Sequence, residues 1–227
     1  MAVKDLKLFY HFFIAPDVRG MFWHTWLEEQ GPLLKATGLP IELNLCMPIH
    51  WTSFGDIPFV KQCDKDTKLT FYEKFEEYKD RFYPSLITET VRDTGDLNIY
   101  EGQSLERLWE YSKQTPDTYV GYVHTKGVMS ISIQTYKWRQ LLNRLFITEW
   151  KDRYIEVLNG ADVVGALDKQ CDGTILSGNF FYAKTDYIAT LERPIYTDRY
   201  QYEKWILSGN PNLHICHNSN IDHFSDY

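Results

Sequence analysis

The four residues His124-Thr125-Lys126-Gly127 follow directly after a short apolar run, Tyr119–Val123, that is typical of a buried strand. They offer an imidazole, a hydroxyl, an ammonium group and a flexible glycine. A lysine supplies positive charge, while a threonine hydroxyl and backbone N–H groups donate hydrogen bonds, so this set can hold a diphosphate. An ordinary strand-to-loop exit with a solvated lysine is the alternative interpretation.

Acidic side chains gather after another predicted strand, Ser85–Val91. They are Asp93, Asp96 and Glu101, and carboxylates in such a place can accept hydrogen bonds from ribose hydroxyls or from a uracil N–H. A turn with solvated acids is the competing interpretation for Asp93 and Asp96.

Ser177-Gly178-Asn179 lies inside a strand pattern, Ile175–Ala183. A glycine within a strand often marks the close approach of a ligand or of another backbone. Ser and Asn side chains beside it can bond sugar hydroxyls. The alternative is a β-bulge that binds nothing.

Glu203 and Trp205 belong to a short predicted helix, Tyr202–Leu207. A carboxylate beside an aromatic ring is a candidate general base that removes the proton of a sugar hydroxyl, with the ring as a platform for the sugar. A glutamate at the start of a helix is also favoured by the helix dipole alone, so a structural role is the alternative.

Two further groups could bind a metal ion. Asp64-Lys65-Asp66 has two carboxylates at close spacing, but it lies in a predicted loop, residues 50–68, rather than after a central strand. His214, His217 and His223 lie in the tail from Pro211, which we predict to be irregular. Together these groups define an alternative function, a metal-dependent phosphodiesterase or nucleotidase. Solvated acids and packing histidines are the simpler interpretation.

Strand and helix patterns alternate along the chain, which favours an α/β fold with a mixed, mostly parallel sheet of about six strands flanked by helices. The predicted strands are Leu6–Ile14, Ile41–Cys46, Ser85–Val91, Tyr119–Val123, Ala161–Leu167 and Ile175–Ala183. The predicted helices are Phe22–Ala36, Leu69–Phe82, Ser104–Lys113, one around Trp138–Leu145 that Ile147–Leu158 continues or follows, Asp186–Leu191 and Tyr202–Leu207. In such a sheet ligands bind beyond the carboxyl ends of the strands, where these polar groups fall.

The composition disfavours several classes of function. The net charge of −7 repels nucleic acids and anionic lipid surfaces. The four cysteines have no CxxC spacing, which argues against a structural zinc site. The chain begins MAVKDLKLFYHFF, without the pattern of a secretory signal, and no apolar stretch is long enough for a membrane helix. We therefore expect a soluble, cytoplasmic, monomeric protein with one domain over residues 1–227 and reduced thiols.

The order of these motifs resembles the GT-A-fold glycosyltransferases of bacteria and large DNA viruses that are related to rhamnan-synthesis enzymes. It is also similar to the glycosyltransferase domains that chlorella viruses use on their capsid glycan. The matching segments are Tyr10-His11, Gly38-Leu39, Glu101-Gly102-Gln103-Ser104-Leu105, YVHTKG at 122–127, Trp138-Arg139, Val164-Gly165 and LSGNFFYA at 176–183. They extend over most of the chain, and YVHTKG together with SGNFFYA is the specific part.

The resemblance implies a GT-A (Rossmann-like) fold with the nucleotide under the first half of the sheet. It implies transfer of a sugar from a nucleotide-diphosphate donor, with UDP as the expected nucleotide, to a hydroxyl of a glycan or glycoprotein. The implied donor-binding residues are His11, Asp96, Glu101, His124, Thr125, Lys126 and Arg139. The residues expected to bind the sugar or the acceptor are Ser177, Gly178, Asn179 and Trp205.

Glu203 is the implied general base of an inverting single displacement. This assignment is positional, since the usual Glu-Asp pair reads Glu203-Lys204 here, and a retaining outcome stays open. His124-Thr125-Lys126 falls where most GT-A enzymes carry a metal-binding DxD motif. Either Lys126 and Arg139 do part of the cation's work on the diphosphate, or another carboxylate holds Mn²⁺. A third possible function is a non-catalytic module that binds a nucleotide sugar or a glycan.

Overall fold

The structure is a computed structural model that describes residues 5–13, 23–48, 65–94, 101–125, 133–168, 175–195 and 199–219. These residues form a seven-stranded sheet with helices on both of its faces. The predicted fold class, an α/β protein with a mixed, mostly parallel, Rossmann-like sheet, is therefore confirmed.

The strands pair in an order that differs from their order along the chain, β3-β2-β1-β4-β6-β5-β7. The strand β6 runs antiparallel to both of its neighbours, β4 and β5, while every other pairing is parallel. The strands are β1 (Leu6–Phe13), β2 (Ile41–Pro48), β3 (Leu86–Thr94), β4 (Tyr119–His124), β5 (Val163–Asp168), β6 (Leu176–Lys184) and β7 (Leu213–Ser219).

The helices connect these strands across both faces of the sheet. They are α1 (Trp23–Thr37), α2 (Lys65–Phe82), α3 (Gly102–Gln114), α4 (Ile133–Asn143), α5 (Trp150–Tyr154), α6 (Val157–Gly160), α7 (Thr185–Ile188) and α8 (Arg199–Trp205). A π-helical turn, Arg144–Thr148, joins α4 to α5.

The central strands β1 and β4 are buried along almost their whole length. Their runs LKLFYHFF and YVGYVH are apolar on both faces, as a strand covered by helices on each side requires. The helix α1 ends at the predicted stop, because Gly38 has a φ of +66° and its N–H bonds the carbonyl of Lys35 at 3.2 Å.

Each face of the sheet has its own hydrophobic core. One face packs against α1, α2 and the segment from α4 to α6, with Tyr10, Phe146 and Tyr182 near its centre. The other face packs against α3, α7 and α8, with Phe9, Leu105 and Trp205 among its buried residues. Alternation of side chains along the strands sends odd-numbered β1 residues, including His11, toward the α3 face.

Two sequence predictions need correction. The tail from Pro211 is not irregular throughout, because Leu213–Ser219 forms β7 and pairs in parallel with β5. Over the described residues the sheet therefore has seven strands, where the sequence predicted about six. The predicted strand Ser85–Val91 also ends too early, since β3 continues to Thr94, and the predicted helix Ser104–Lys113 begins two residues earlier, at Gly102. The loop predicted over residues 50–68 falls mostly outside the described residues, and α2 already begins at Lys65.

The described helices include none with both the length and the apolar character needed to cross a membrane.

Candidate functional site

The order of the strands reverses between β1 and β4. From β1 the chain moves outward through β2 to β3, and it then returns to β4 on the other side of β1. A crevice opens at such a switch point, outside the carboxyl ends of the two strands, and ligands of doubly wound sheets bind there. We therefore expect a ligand-binding site at the carboxyl ends of β1 and β4.

A polar row crosses the sheet at this point, formed by Asn44, His11 and His124. His11 is the register partner of Asn44 on β2 and of His124 on β4. All three side chains are buried in strands that are mostly apolar. The other buried charged side chains of these strands, Lys7 and Glu42, form an ion pair with each other at 2.6 Å. Buried polar groups are costly unless they form hydrogen bonds, so a row of this kind indicates a structural network or a binding site.

His11 connects the sheet to the first turn of α3. Its Nδ1 lies 2.7 Å from the hydroxyl oxygen of Ser104. Burial lowers the pKa of His11 to about 4, because a buried imidazolium loses its hydration, and the charge of Glu101 offsets only part of this effect. His11 is therefore neutral at pH 7 and acts as a hydrogen-bonding group rather than as a cation.

Glu101, just before α3, supplies the carboxylate of the site. Its Oε2 accepts hydrogen bonds from Nδ2 of Asn179 at 2.6 Å and from the hydroxyl of Tyr122 at 3.3 Å. Burial raises the pKa of Tyr122 well above its ordinary value, and the charge of Glu101 adds to this effect. Tyr122 therefore stays protonated and remains a donor to Glu101.

His124 connects β4 to β6. Its Nε2 lies 2.5 Å from the carbonyl oxygen of Gly178 and 3.8 Å from Oε1 of Glu101. Because a carbonyl oxygen can only accept, Nε2 carries the proton in this bond. The imidazole thus holds a backbone carbonyl of β6 next to the carboxylate.

The backbone of β6 is irregular at this point. Gly178 and Asn179 have φ values of +67° and +54°, both in the left-handed region. Between the register pairs Gly165↔Phe181 and Leu167↔Leu176, β5 has a single residue, whereas β6 has residues 177–180. The predicted strand Ile175–Ala183 thus contains a bulge, and this bulge turns Asn179 toward Glu101.

Thr125 closes the end of β1 instead of facing outward. Its N–H bonds the carbonyl oxygen of His11 at 3.1 Å, and its hydroxyl oxygen accepts from the N–H of Phe13 at 3.0 Å. The side chains of His124 and Thr125 are therefore both engaged with backbone groups in this structure. Lys126, the next residue, lies outside the described residues.

Two buried polar atoms of the site have no hydrogen-bond partner among the residues that the structure describes. They are Oδ1 of Asn179 and Nδ2 of Asn44, in side chains that are 2% and 5% exposed. An unmade hydrogen bond of a buried group costs about 1–3 kcal/mol, so such atoms in a folded protein call for an explanation. One is an acceptor and the other a donor, as expected where a polar ligand binds.

Arg139 belongs to a different network, on the opposite face of the sheet. Its guanidinium forms a two-pronged ion pair with Glu29 of α1, with N···O distances of 2.8 and 2.9 Å. Asn143 donates to the same carboxylate at 2.8 Å and accepts from Gln30 at 2.9 Å. Gln30 in turn accepts from the hydroxyl of Tyr10 at 2.6 Å. The charge of Arg139 is thus compensated within the protein, which leaves less of it for a diphosphate.

The helix α8 lies beside the beginning of α3. Tyr202 packs so closely on Gly102 that a Cβ at Gly102 would meet its ring at 2.6 Å. Glu203, the predicted general base, is half-buried on this helix. Trp205 is only 1% exposed and its indole N–H bonds the carbonyl of Glu192 at 2.8 Å. Its ring is a core side chain and has no open face for a sugar.

The remaining predicted residues are only partly described. Asp96 and Lys126 lie outside the described residues, and Ser177 is part of β6 without a described side chain. Among the acids and histidines of the alternative metal site, Asp64 and His223 also lie outside. His214 and His217 are on β7. Across the described ranges, no three His, Cys, Asp or Glu side chains are grouped so that they could hold a metal ion.

Several residues of the site were not predicted from the sequence as ligand-binding residues. Ser104 and Tyr122 enter the predictions only as members of the motifs EGQSL and YVHTKG. Asn44 carried a usable signal, because it and Glu42 are the two polar residues of the predicted strand IELNLC. Glu29 carried none, since an acidic residue in an amphipathic helix is ordinarily exposed.

Residues 79–196 match a protein family described as "Domain of unknown function (DUF8361)". The match extends over just over half of the chain. The chain belongs to the DUF8361 family. None of the curated proteins matches it.

The DUF8361 match includes one side of the candidate site and not the other. The segment from 79 to 196 contains Glu101, Tyr122, His124 and Asn179, which contact one another directly. The strands β1 and β2, with His11 and Asn44, lie before it, and α8 lies after it. The carboxylate of Glu101, the bond from His124 to the carbonyl of Gly178 and the bulge in β6 therefore form the part of the site that falls within the family segment.

The site combines hydrogen-bond acceptors with few positive charges among the described residues. Glu101 is the group that remains open to solvent, with 14% of its side chain exposed. Around it lie a neutral imidazole, a tyrosine hydroxyl and an amide. This arrangement suits a polar ligand rich in hydroxyl or N–H groups, and an anionic ligand group would require a cation from a neighbouring segment such as the one that begins at Lys126.

Proposed function

We propose that the protein is a glycosyltransferase that moves a sugar from a nucleotide-diphosphate donor, with UDP as the first candidate, to a hydroxyl of a glycan or glycoprotein. We also propose that this enzyme is located in the cytoplasm and is active as a monomer.

The observation that carries this proposal is the convergence of three separate sequence motifs. Glu101 from EGQSL, His124 from YVHTKG and Gly178-Asn179 from SGNFFYA are far apart in the chain but contact one another directly. These motifs carry the resemblance to the GT-A glycosyltransferases. Their convergence at the switch point of the sheet, where nucleotides bind in doubly wound folds, supports a shared role in one ligand site.

The contacts refine the roles of the motif residues. His124 and Thr125 bond backbone groups of β6 and β1, so we assign them to holding the shape of the site. Lys126 then remains as the candidate cation for the diphosphate, since Arg139 is paired with Glu29. A lysine ammonium placed there would stabilise the negative charge that develops on the departing diphosphate.

The acceptor side of the proposal rests on α8. Glu203 would take the proton of the acceptor hydroxyl while that oxygen attacks the anomeric carbon and the bond to the diphosphate breaks. Trp205 is buried, but Tyr200 lies one turn before Glu203 and is 61% exposed. We therefore assign the aromatic platform for the acceptor to Tyr200 instead. The inverting outcome follows if this displacement is single.

The described residues do not fit a Mn²⁺ site. No suitable group of three ligands occurs among them, and the Nε2 of His124 is engaged by a carbonyl. None of the residue roles proposed above involves a metal ion. Binding measurements with and without Mn²⁺ test whether the protein depends on one. No observation among the described residues favours the phosphodiesterase, because Asp64 and His223 lie outside them and His214 is exposed on β7.

A transfer assay tests the proposal. The protein is incubated with UDP- and GDP-sugars and a panel of simple glycosides, and released nucleotide is measured with and without the glycoside. We expect release that depends on the glycoside and is lost in Glu203→Gln, while this variant still binds the nucleotide. Release that needs no glycoside would indicate hydrolysis, and binding without any release would indicate a non-catalytic module.

A further inference from the structure

The pairing of Asn179 with Glu101 leaves an acceptor atom without a partner. The Nδ2 of Asn179 donates to Oε2 of Glu101 at 2.6 Å. Because a carboxylate can only accept, the amide nitrogen must face Glu101, and this fixes which end of the amide is the oxygen. That oxygen, Oδ1, is buried and accepts no hydrogen bond from any described residue.

The second oxygen of Glu101 is also available. Its Oε2 receives both Asn179 and Tyr122, whereas Oε1 has only Nε2 of His124 at 3.8 Å. This distance exceeds that of a hydrogen bond. Within the described part of the chain, Oε1 therefore accepts no hydrogen bond. The two available acceptors are therefore Oε1 of Glu101, which is anionic, and Oδ1 of Asn179. A hydrogen bond of 2.6 Å joins the side chains that carry them.

The chemistry of the ligand follows from this arrangement. Two acceptors require a ligand with two donors, and an anionic acceptor repels phosphate. Two adjacent hydroxyl groups satisfy both conditions, because each can donate one hydrogen bond. A single N–H, as in a uracil ring, would satisfy only one of the two oxygens.

We propose that Glu101 and Asn179 form a subsite for a pair of adjacent hydroxyl groups, supplied by the ribose of the donor nucleotide or by the sugar it carries. This inference rests on the proposed function for the source of the diol. The bulge in β6 and the bond from His124 to Gly178 hold Asn179 in its left-handed conformation, so His124 is a positioning residue for the subsite.

Calorimetric titration tests the subsite on the full chain. The ligands are UDP, 2′-deoxy-UDP, GDP, 2′-deoxy-GDP and UDP-glucose. The variants are Glu101→Gln and Asn179→Gly, in which glycine suits the backbone φ of +54°. Glu106→Gln is the matched control, because Glu106 lies on α3, the helix that Glu101 precedes, and pairs with Arg193 instead. Thermal unfolding of each variant verifies the fold.

We expect each site variant to weaken binding by about tenfold to a hundredfold, with no change in the control, since a charge-assisted hydrogen bond is lost. If the ribose is the ligand, the wild type prefers the ribonucleotides to their 2′-deoxy forms, and the variants lose this preference. If the transferred sugar is the ligand, only the affinity that UDP-glucose has beyond UDP is lost. Binding that neither variant changes overturns the subsite and leaves glycosyl transfer standing. A wild type that binds none of these ligands overturns both.

Discussion

The Nε2 of His124 lies 2.5 Å from the carbonyl oxygen of Gly178, although 54 positions separate the two residues in the chain. This bond joins the carboxyl end of β4 to the bulge in β6. The bond has two consequences. It holds the left-handed backbone at Gly178 and Asn179, and it places Asn179 against Glu101. The stability of the fold and the shape of the candidate site therefore share one contact.

Replacement of His124 by alanine should lower the free energy of unfolding by about 2 kcal/mol, because the buried carbonyl of Gly178 loses its donor. His214→Ala is the matched control, since His214 is exposed on β7, and it should change the free energy by less than about 0.5 kcal/mol. Urea unfolding measures both values. Equal effects of the two substitutions would show that the bond to Gly178 contributes little.

Gly178→Ala should destabilise the fold more than Gly38→Ala. Both glycines have nearly the same φ, +67° and +66°, so the backbone strain of an alanine is similar, about 1–2 kcal/mol. A Cβ at Gly178 would also meet Leu142 Cδ1 at 2.5 Å, whereas nothing lies within 4 Å of one at Gly38. Overpacking of this kind adds about 1–3 kcal/mol. Urea midpoints that shift equally would contradict the close packing on Leu142.

Arg139→Ala should cost about 3 kcal/mol of unfolding free energy, because it leaves the carboxylate of Glu29 without its buried partner. Arg144→Ala, at an arginine that is 61% exposed and 3.7 Å from Glu149, should cost less than about 1 kcal/mol. Guanidinium unfolding compares the two. A small loss for Arg139→Ala, together with a large loss of nucleotide affinity, would instead return Arg139 to the donor site.

Lowering the pH should destabilise the protein through His11. In the unfolded chain His11 has its ordinary pKa of 6.5 and takes up a proton as the pH falls through that value, whereas the folded form does so only near pH 4. The unfolding free energy therefore falls between about pH 6.5 and pH 4, by about 2 kcal/mol from pH 7 to pH 5.

His11→Gln supplies the control for this pH effect, because glutamine does not titrate. Urea unfolding at pH 7 and pH 5 should show a smaller loss for the variant than for the wild type. Equal losses in the two proteins would mean that carboxylates, and not His11, cause the acid destabilisation.

The sequence predicts the sheet well where strands are buried on both faces. The runs at β1 and β4 are mostly apolar, and each carries a histidine, His11 or His124, near its end at the switch point. The strand β7 was missed for the opposite reason. Within the described part of the chain it lies at an edge of the sheet and pairs with β5 alone. Its exposed or half-buried side chains include His214 and His217. A strand with one neighbour and mixed exposure leaves no clear alternation in the sequence.

The site was predicted by residue type but not by contact. Glu101, His124 and Asn179 were all candidate ligand groups, yet nothing in the local pattern indicates that they bond one another. The pairing of Arg139 with Glu29 spans 110 positions, and periodicity carries no information at that range. Trp205 was expected to offer its ring as a platform for a sugar, whereas tertiary packing against α3 and α7 buries it.

Nucleotide binding tests the central claim most directly. UDP, GDP and CMP are titrated by calorimetry, with and without Mn²⁺, into wild type, Lys126→Ala and the control Lys35→Ala, which removes an exposed lysine at the end of α1. The proposed function predicts that one nucleotide binds and that Lys126→Ala weakens it by about 1.5–3 kcal/mol, while Lys35→Ala does not. Failure of every nucleotide to bind, with or without Mn²⁺, would contradict a glycosyltransferase.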